Sequence, residues 1–138
     1  MARIVIRDSL MRRIALSFAT LVVALMLLAP IAKAQNDAQT AQALVGRWEW
    51  QDTMNDATVY HQLTLAGGGN FTYTSAMQSY QVTSWGAWAF QGGWLMFKTT
   101  GSSSLDPAGR PIGLGPIQII EVGPDYVRTP AGVAHRTL

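Results

Sequence analysis

The chain of 138 residues contains no cysteine. Disulfides, thiol catalysis and a lipid-modified cysteine are excluded with it. Histidine is almost as scarce: His61 and His135 are the only two. They show no ligand spacing of the H-E-x-x-H kind, so no metal site and no cofactor are expected. Charge is thin as well, with Asp, Glu, Lys and Arg making up 13% of the chain. Past residue 34, Arg47, Lys98, Arg110, Arg128 and Arg136 stand against seven acids, a balance of −2. Five scattered cations cannot form the basic stripe that nucleic acid or an anionic membrane surface requires, so neither is an expected partner.

Half of the basic residues, five of ten, sit in the opening 34 residues. Arg3, Arg7, Arg12 and Arg13 precede an apolar run from Ile14 to Ala29, then Pro30 and Ala32-Lys33-Ala34. Charged, apolar and A-x-A segments in that order predict a secretory signal peptide over residues 1–34, with the mature chain starting near Gln35. A start at Met11 would give the same leader in a more compact form. The apolar run is shorter than the roughly 20 residues of a spanning helix, so no stable membrane anchor is expected after cleavage. The expected location is periplasmic or secreted.

Residues 35–43, "QNDAQTAQA", are polar and alanine-rich, and predict a short helical lead-in with Asn36 or Asp37 as N-cap. The body, 44–138, has no long 3.6-residue period. Short alternating runs are separated by glycine, proline and small polar residues, the pattern of antiparallel sheet. "ATVYHQLTLAGGGNFTYTSAM" predicts a hairpin turning over Gly67 to Asn70, with positive φ supplied by that run. "YQVTSWGAWAFQGGWLMFKTT" predicts a second, turning at Gln91-Gly92-Gly93. "PIQIIEV" and "YVRTP" predict a third pair across Gly123-Pro124-Asp125, while "GSSSLDPAGRPIGLGP" reads as a surface loop or flap. With "GRWEWQ" first and "VAHRTL" last, the count is about eight short strands, neighbours in sequence pairing with one another. The expected class is all-β, an up-and-down antiparallel barrel that removes its edges by closing, with a half-open sheet as the alternative.

Three Gly-x-Trp steps recur: Gly46 with Trp48, Gly86 with Trp88, and Gly92 with Trp94. Glycine lets a barrel strand bend, and a tryptophan two places on shares its face, so each ring is expected to cover the space its glycine leaves. Leu44-Val45-Gly46-Arg47-Trp48, after a short helical lead-in, resembles the Gly-x-Trp signature of lipocalins and wider calycins. The succession "GRW", "GGGNF", "WGAW" and "GGWLMF" is similar to small bacterial lipocalin-like domains. The resemblance implies a barrel end closed by Trp48 and covered by an arginine from near the last strand, Arg136 before Arg128.

No acid/base constellation suggests an enzyme, and no catalytic residue is proposed from the sequence. Ser102, Ser103, Ser104 and Asp106 read as a polar loop, and "GGGN" as turn glycines lacking the helix and lysine of a phosphate cradle. His61 shares a strand face with Leu63 and is expected in the core or a cavity wall, with Glu49 or Asp52 as partners that can be drawn. Aromatic side chains carry the remaining signal. The expectation is a binding module for a small apolar or amphipathic molecule beneath the "GSSSLDPAGRPIGLGP" loop, lined by Tyr60, Gln62, Tyr73, Trp88 and Met96. A filled barrel that interacts with an envelope protein, or inhibits one, is the alternative.

Overall fold

The computed structural model describes residues 36–138. The expected leader, its Met11 start and the cleavage point before Gln35 lie outside the described residues. A helix, α1, covers residues 36–44. Nine strands follow: β1 (Gly46–Met54), β2 (Ala57–Leu65), β3 (Asn70–Met77), β4 (Tyr80–Gln91), β5 (Trp94–Ser102), β6 (Ile117–Gln118), β7 (Glu121–Val122), β8 (Tyr126–Thr129) and β9 (Gly132–Thr137). All pairings are antiparallel, in the spatial order β6-β5-β4-β3-β2-β1-β9-β8-β7. The sheet curls through 303° into an open half-barrel.

The expected closed ring of hydrogen bonds is therefore corrected to a curled sheet with two edges. "PIQIIEV", read as one strand, is divided between those edges: Leu95 pairs with Ile117, whereas Glu121 pairs with Arg128. Ile119 N donates to Gly93 O at 2.8 Å on one side, and Ile120 N donates to Arg128 O at 2.9 Å on the other. One extended segment serves both edges in turn, because each of its residues has a single backbone donor to give.

Tight turns set the strand order. The β1–β2 turn places Asn55 at φ 49 and Asp56 at φ 62, the left-handed pair that a two-residue hairpin demands and that Asn and Asp tolerate. In the β2–β3 turn only Gly69, at φ 83, takes the left-handed conformation expected of the whole Gly67–Asn70 run. Side-chain alternation then sorts the sheet. Trp48, Leu63, Tyr73 and Ser84 are successive cross-strand partners on the concave face, and Trp50, His61, Ser75 and Val82 form the next row. Leu44, Trp48, Leu63, Leu65, Phe71, Leu95 and Val127 make the buried core. Fully burying one such side chain contributes on the order of 1.5–3 kcal/mol, so this inner face supplies most of the driving force.

The Gly-x-Trp steps turn out to have three separate causes, and no ring covers its own glycine. Gly46 has φ 143, and a Cβ there would strike the Arg136 guanidinium. A Cβ on Gly86 would strike the backbone carbonyl of Lys98, since β4 and β5 shift register between Trp85 and Gly86 and their backbones close up. Gly92 is a turn residue at φ 60. The β4–β5 irregularity leaves Thr100 without a partner on β4 and adds local twist, which bends the sheet toward closure.

The segment expected as a surface loop or flap is a mostly exposed loop anchored by hydrogen bonds. Asp106 Oδ1 accepts from the amides of Ala108 and Arg110, each at 2.9 Å, and Oδ2 accepts from Arg110 Nε at 2.9 Å. Ser84, 1% exposed, donates its hydroxyl to Ile112 O and lies 3.2 Å from Ser102 Oγ. Leu114 packs against the core. The serines thus act as structural rungs that draw this loop onto the concave face.

Candidate functional site

Alternation along β1 carries Trp48, Trp50 and Asp52 to the concave face, in register with Leu63, His61 and Val59 of β2. Between these strands, Val127 and Ala134 of β8 and β9, and Ile117 and Ile119 of the edge segment lies a cavity of about 160 Å³. Leu44, Trp48, Leu63, Leu65 and Leu95 complete its apolar wall, while Trp50, Asp52 and Thr129 also line it. The cavity opens to solvent at the Asp52 and Thr129 end, and its apolar part is about the size that accommodates a single benzene-like ring.

One end of the site is held by Arg136. Its guanidinium lies 4.3 Å from the centre of the Trp48 ring. Nε donates to Pro124 O at 2.9 Å, Nη1 to Val45 O at 2.8 Å and Nη2 to Ala43 O at 2.7 Å. A single fork therefore joins β9, the turn before β8 and the carbonyl end of α1, where a cation is favoured by the helix dipole. Trp48 Nε1 in turn donates to Leu44 O at 2.8 Å. Asp37, an expected N-cap, accepts instead from Gly92 N at 3.0 Å and ties α1 to the β4–β5 turn.

Beside the cavity, Trp50 stacks on His61 with ring centroids 4.9 Å apart and planes inclined by 13°. Tyr73 continues the stack, 6.0 Å from His61. His61 Nδ1 lies 2.7 Å from the Tyr73 hydroxyl, and Nε2 lies 3.2 Å from Asp52 Oδ2. The Nε2 contact is too poorly aligned for a hydrogen bond, and Nε2 has no other partner among the described residues. Burial pushes His61 below its ordinary value of 6.5, against the weaker upward pull of Asp52. Burial likewise pushes Tyr73 above 10.0. Near neutral pH the network is therefore assigned as a Tyr73 hydroxyl donating to Nδ1 of a neutral imidazole whose proton sits on Nε2, facing Asp52. Neither His61 nor Tyr73 lines the 160 Å³ cavity; the stack holds Trp50 at its rim, with Asp52 in contact with His61 beside it.

The five residues expected to share a ligand face are divided. Tyr73 and Trp88 point to the concave side, but Tyr73 is engaged with His61, and Trp88 Nε1 donates to Ala66 O at 3.0 Å over the β2–β3 turn. Neither touches the cavity. Tyr60 and Gln62 line a wider, open groove of about 730 Å³ across the outer face, with Glu49, Thr74, Gln81 and His135. Met96 is outward and 47% exposed. The reason is parity: His61, Leu63 and Leu65 commit β2 to one phase, which sends Tyr60 and Gln62 the other way. The loop at 101–116 contributes no residue to the lining of this cavity.

Sequence reasoning missed Asp52, Ile117 and Ile119 as cavity residues. For Asp52 a signal existed, since stepping by two from Trp48 through Trp50 reaches it. For the isoleucines none did, because their inward direction depends on which sheet edge each half of the segment joins. Among the described residues no three His, Asp or Glu side chains converge as metal ligands. No protein-family model matches the chain, and no curated protein is significantly similar to it.

Proposed function

We propose that this protein is an exported, lipocalin-like binding module that holds a small apolar or amphipathic molecule inside its half-barrel. The observation that carries this reading is the apolar cavity of about 160 Å³ bounded by Trp48, Leu63, Leu65, Ile117, Ile119 and Val127. Its size argues for a compact ligand of ring dimensions rather than a long fatty acid or isoprenoid chain. The role is binding without catalysis: the one histidine network spends its hydroxyl proton between Tyr73 and His61, away from the space a ligand would occupy. Export rests on the order of charged, apolar and A-x-A segments in the leader. N-terminal sequencing of the exported product should begin near Gln35.

The binding test uses toluene as the probe. Saturable stabilisation against heat by toluene, abolished when Ala134→Leu fills the cavity, is the expected result. Absence of any saturable shift would move the reading to an interaction module. That second reading has its own support: Trp85, Trp94 and Met96 are 46%, 43% and 47% exposed on the outer face of β4 and β5. Under it, substitutions at those three positions would weaken capture of an envelope partner while leaving the cavity irrelevant.

A further inference from the structure

The cavity wall contains one ionisable side chain, Asp52. We propose that the molecule it takes carries a protonated amine, with the ammonium seated at Asp52 and the apolar body between Leu63, Leu65, Ile117 and Ile119. This rests on the cavity being a ligand site and specifies the chemistry of that ligand.

Three observations lead there. First, the other polar side chains of the lining carry no charge: Thr129 Oγ1 donates to Gly132 O at 3.2 Å and accepts from Ala131 N at 3.2 Å, and Gln51 is a neutral amide. Second, the Asp52 carboxylate, 54% exposed, makes no side-chain hydrogen bond among the described residues, and its one ionic neighbour there is His61 Nε2 at 3.2 Å. Burial holds that imidazole toward its neutral form, so it does not cancel the carboxylate charge. Third, Trp50, two residues before Asp52 on the same face of β1, lines the same cavity and is held in place by its stack on His61, so the wall offers an indole as well as a carboxylate. A carboxylate and an aromatic ring lining one site make a seat for a cation, which gains from both, whereas an anion is repelled and a neutral hydroxyl gains only a hydrogen bond to the carboxylate.

The test compares toluene, benzyl alcohol, benzylamine and benzoate binding to the mature chain by calorimetry near neutral pH. The expected result is that benzylamine binds about five- to tenfold more tightly than benzyl alcohol, the combined scale of a partly exposed ion pair and a cation–π contact. Benzoate should bind more weakly than either. Asp52→Asn should erase the amine preference while toluene affinity is unchanged, which also reports that the variant is folded. Raising the salt concentration should shrink the preference in the wild type. Toluene binding with no amine preference, or a preference that survives Asp52→Asn, overturns this inference and leaves the cavity reading standing. Failure of all four compounds to bind overturns both.

Discussion

Arg136 and Gly46 form one device. The guanidinium occupies the place where a Cβ on residue 46 would stand, and from there it reaches Ala43 O, Val45 O, Pro124 O and the face of Trp48. Gly46→Ala should destabilise the fold by about 1–3 kcal/mol, since it adds a strained positive φ and displaces the arginine. In an Arg136→Ala background the same change should cost less, because the displaced group is already gone. Additive losses in a double-mutant cycle, measured by denaturant unfolding, would show that the two do not act together. Arg136→Lys should recover little of the Arg136→Ala loss. An ammonium keeps the charge but cannot present three donors in one plane to carbonyls at the end of α1 and in the turn before β8.

At the scale of elements, the loop between β5 and β6 is governed by Ser84. Its hydroxyl serves Ile112 O and lies in contact with Ser102 in a site that is 1% exposed. Ser84→Ala should cost about 1–3 kcal/mol, the penalty for leaving buried polar partners unsatisfied. Hydrogen exchange should accelerate through residues 103–116 before it does so in β2 or β3. Uniform acceleration over the sheet would mean that the loop is not separately anchored. The phase of β2 is written in His61, Leu63 and Leu65, although the expectation of Tyr60 and Gln62 on the ligand face ran against it. The phase of β5 is not, because Thr100 has no partner on β4 and the phase changes between Thr99 and Gly101. A register irregularity of one residue leaves no compositional mark in a stretch such as "FKTTGS", yet it reverses which side chains face inward.

For the molecule as a whole, the buried histidine links stability to pH. The His61 pKa is lowered below 6.5 in the folded state by burial, so the unfolded chain binds the proton more readily. Its contribution is fully present above that value and is lost as pH falls through it toward the lowered folded-state pKa. Melting temperature should therefore decline from about pH 7 to pH 5, and His61→Gln should flatten that decline. Parallel curves for the two proteins would place the pH dependence elsewhere. The groups that face His61 are Asp52 from β1 and Tyr73 from β3, and Asp52→Asn should depress the histidine further by removing its upward pull.

Local sequence determined the elements: alanine and glutamine before Val45 make the short helix, Asn55-Asp56 and Gly92-Gly93 make tight hairpins, and period two makes the strands. These depend on backbone preferences and on the hydrophobic pattern, which act over a few residues. Tertiary structure alone decided that the sheet stops short of a closed ring, that "PIQIIEV" is shared by both edges, and that Asp52 meets His61 while Gly46 makes way for Arg136. Those outcomes turn on which distant backbones exhaust their hydrogen bonds on each other and which side chains compete for one space. Such competition is settled only when all nine strands are in place.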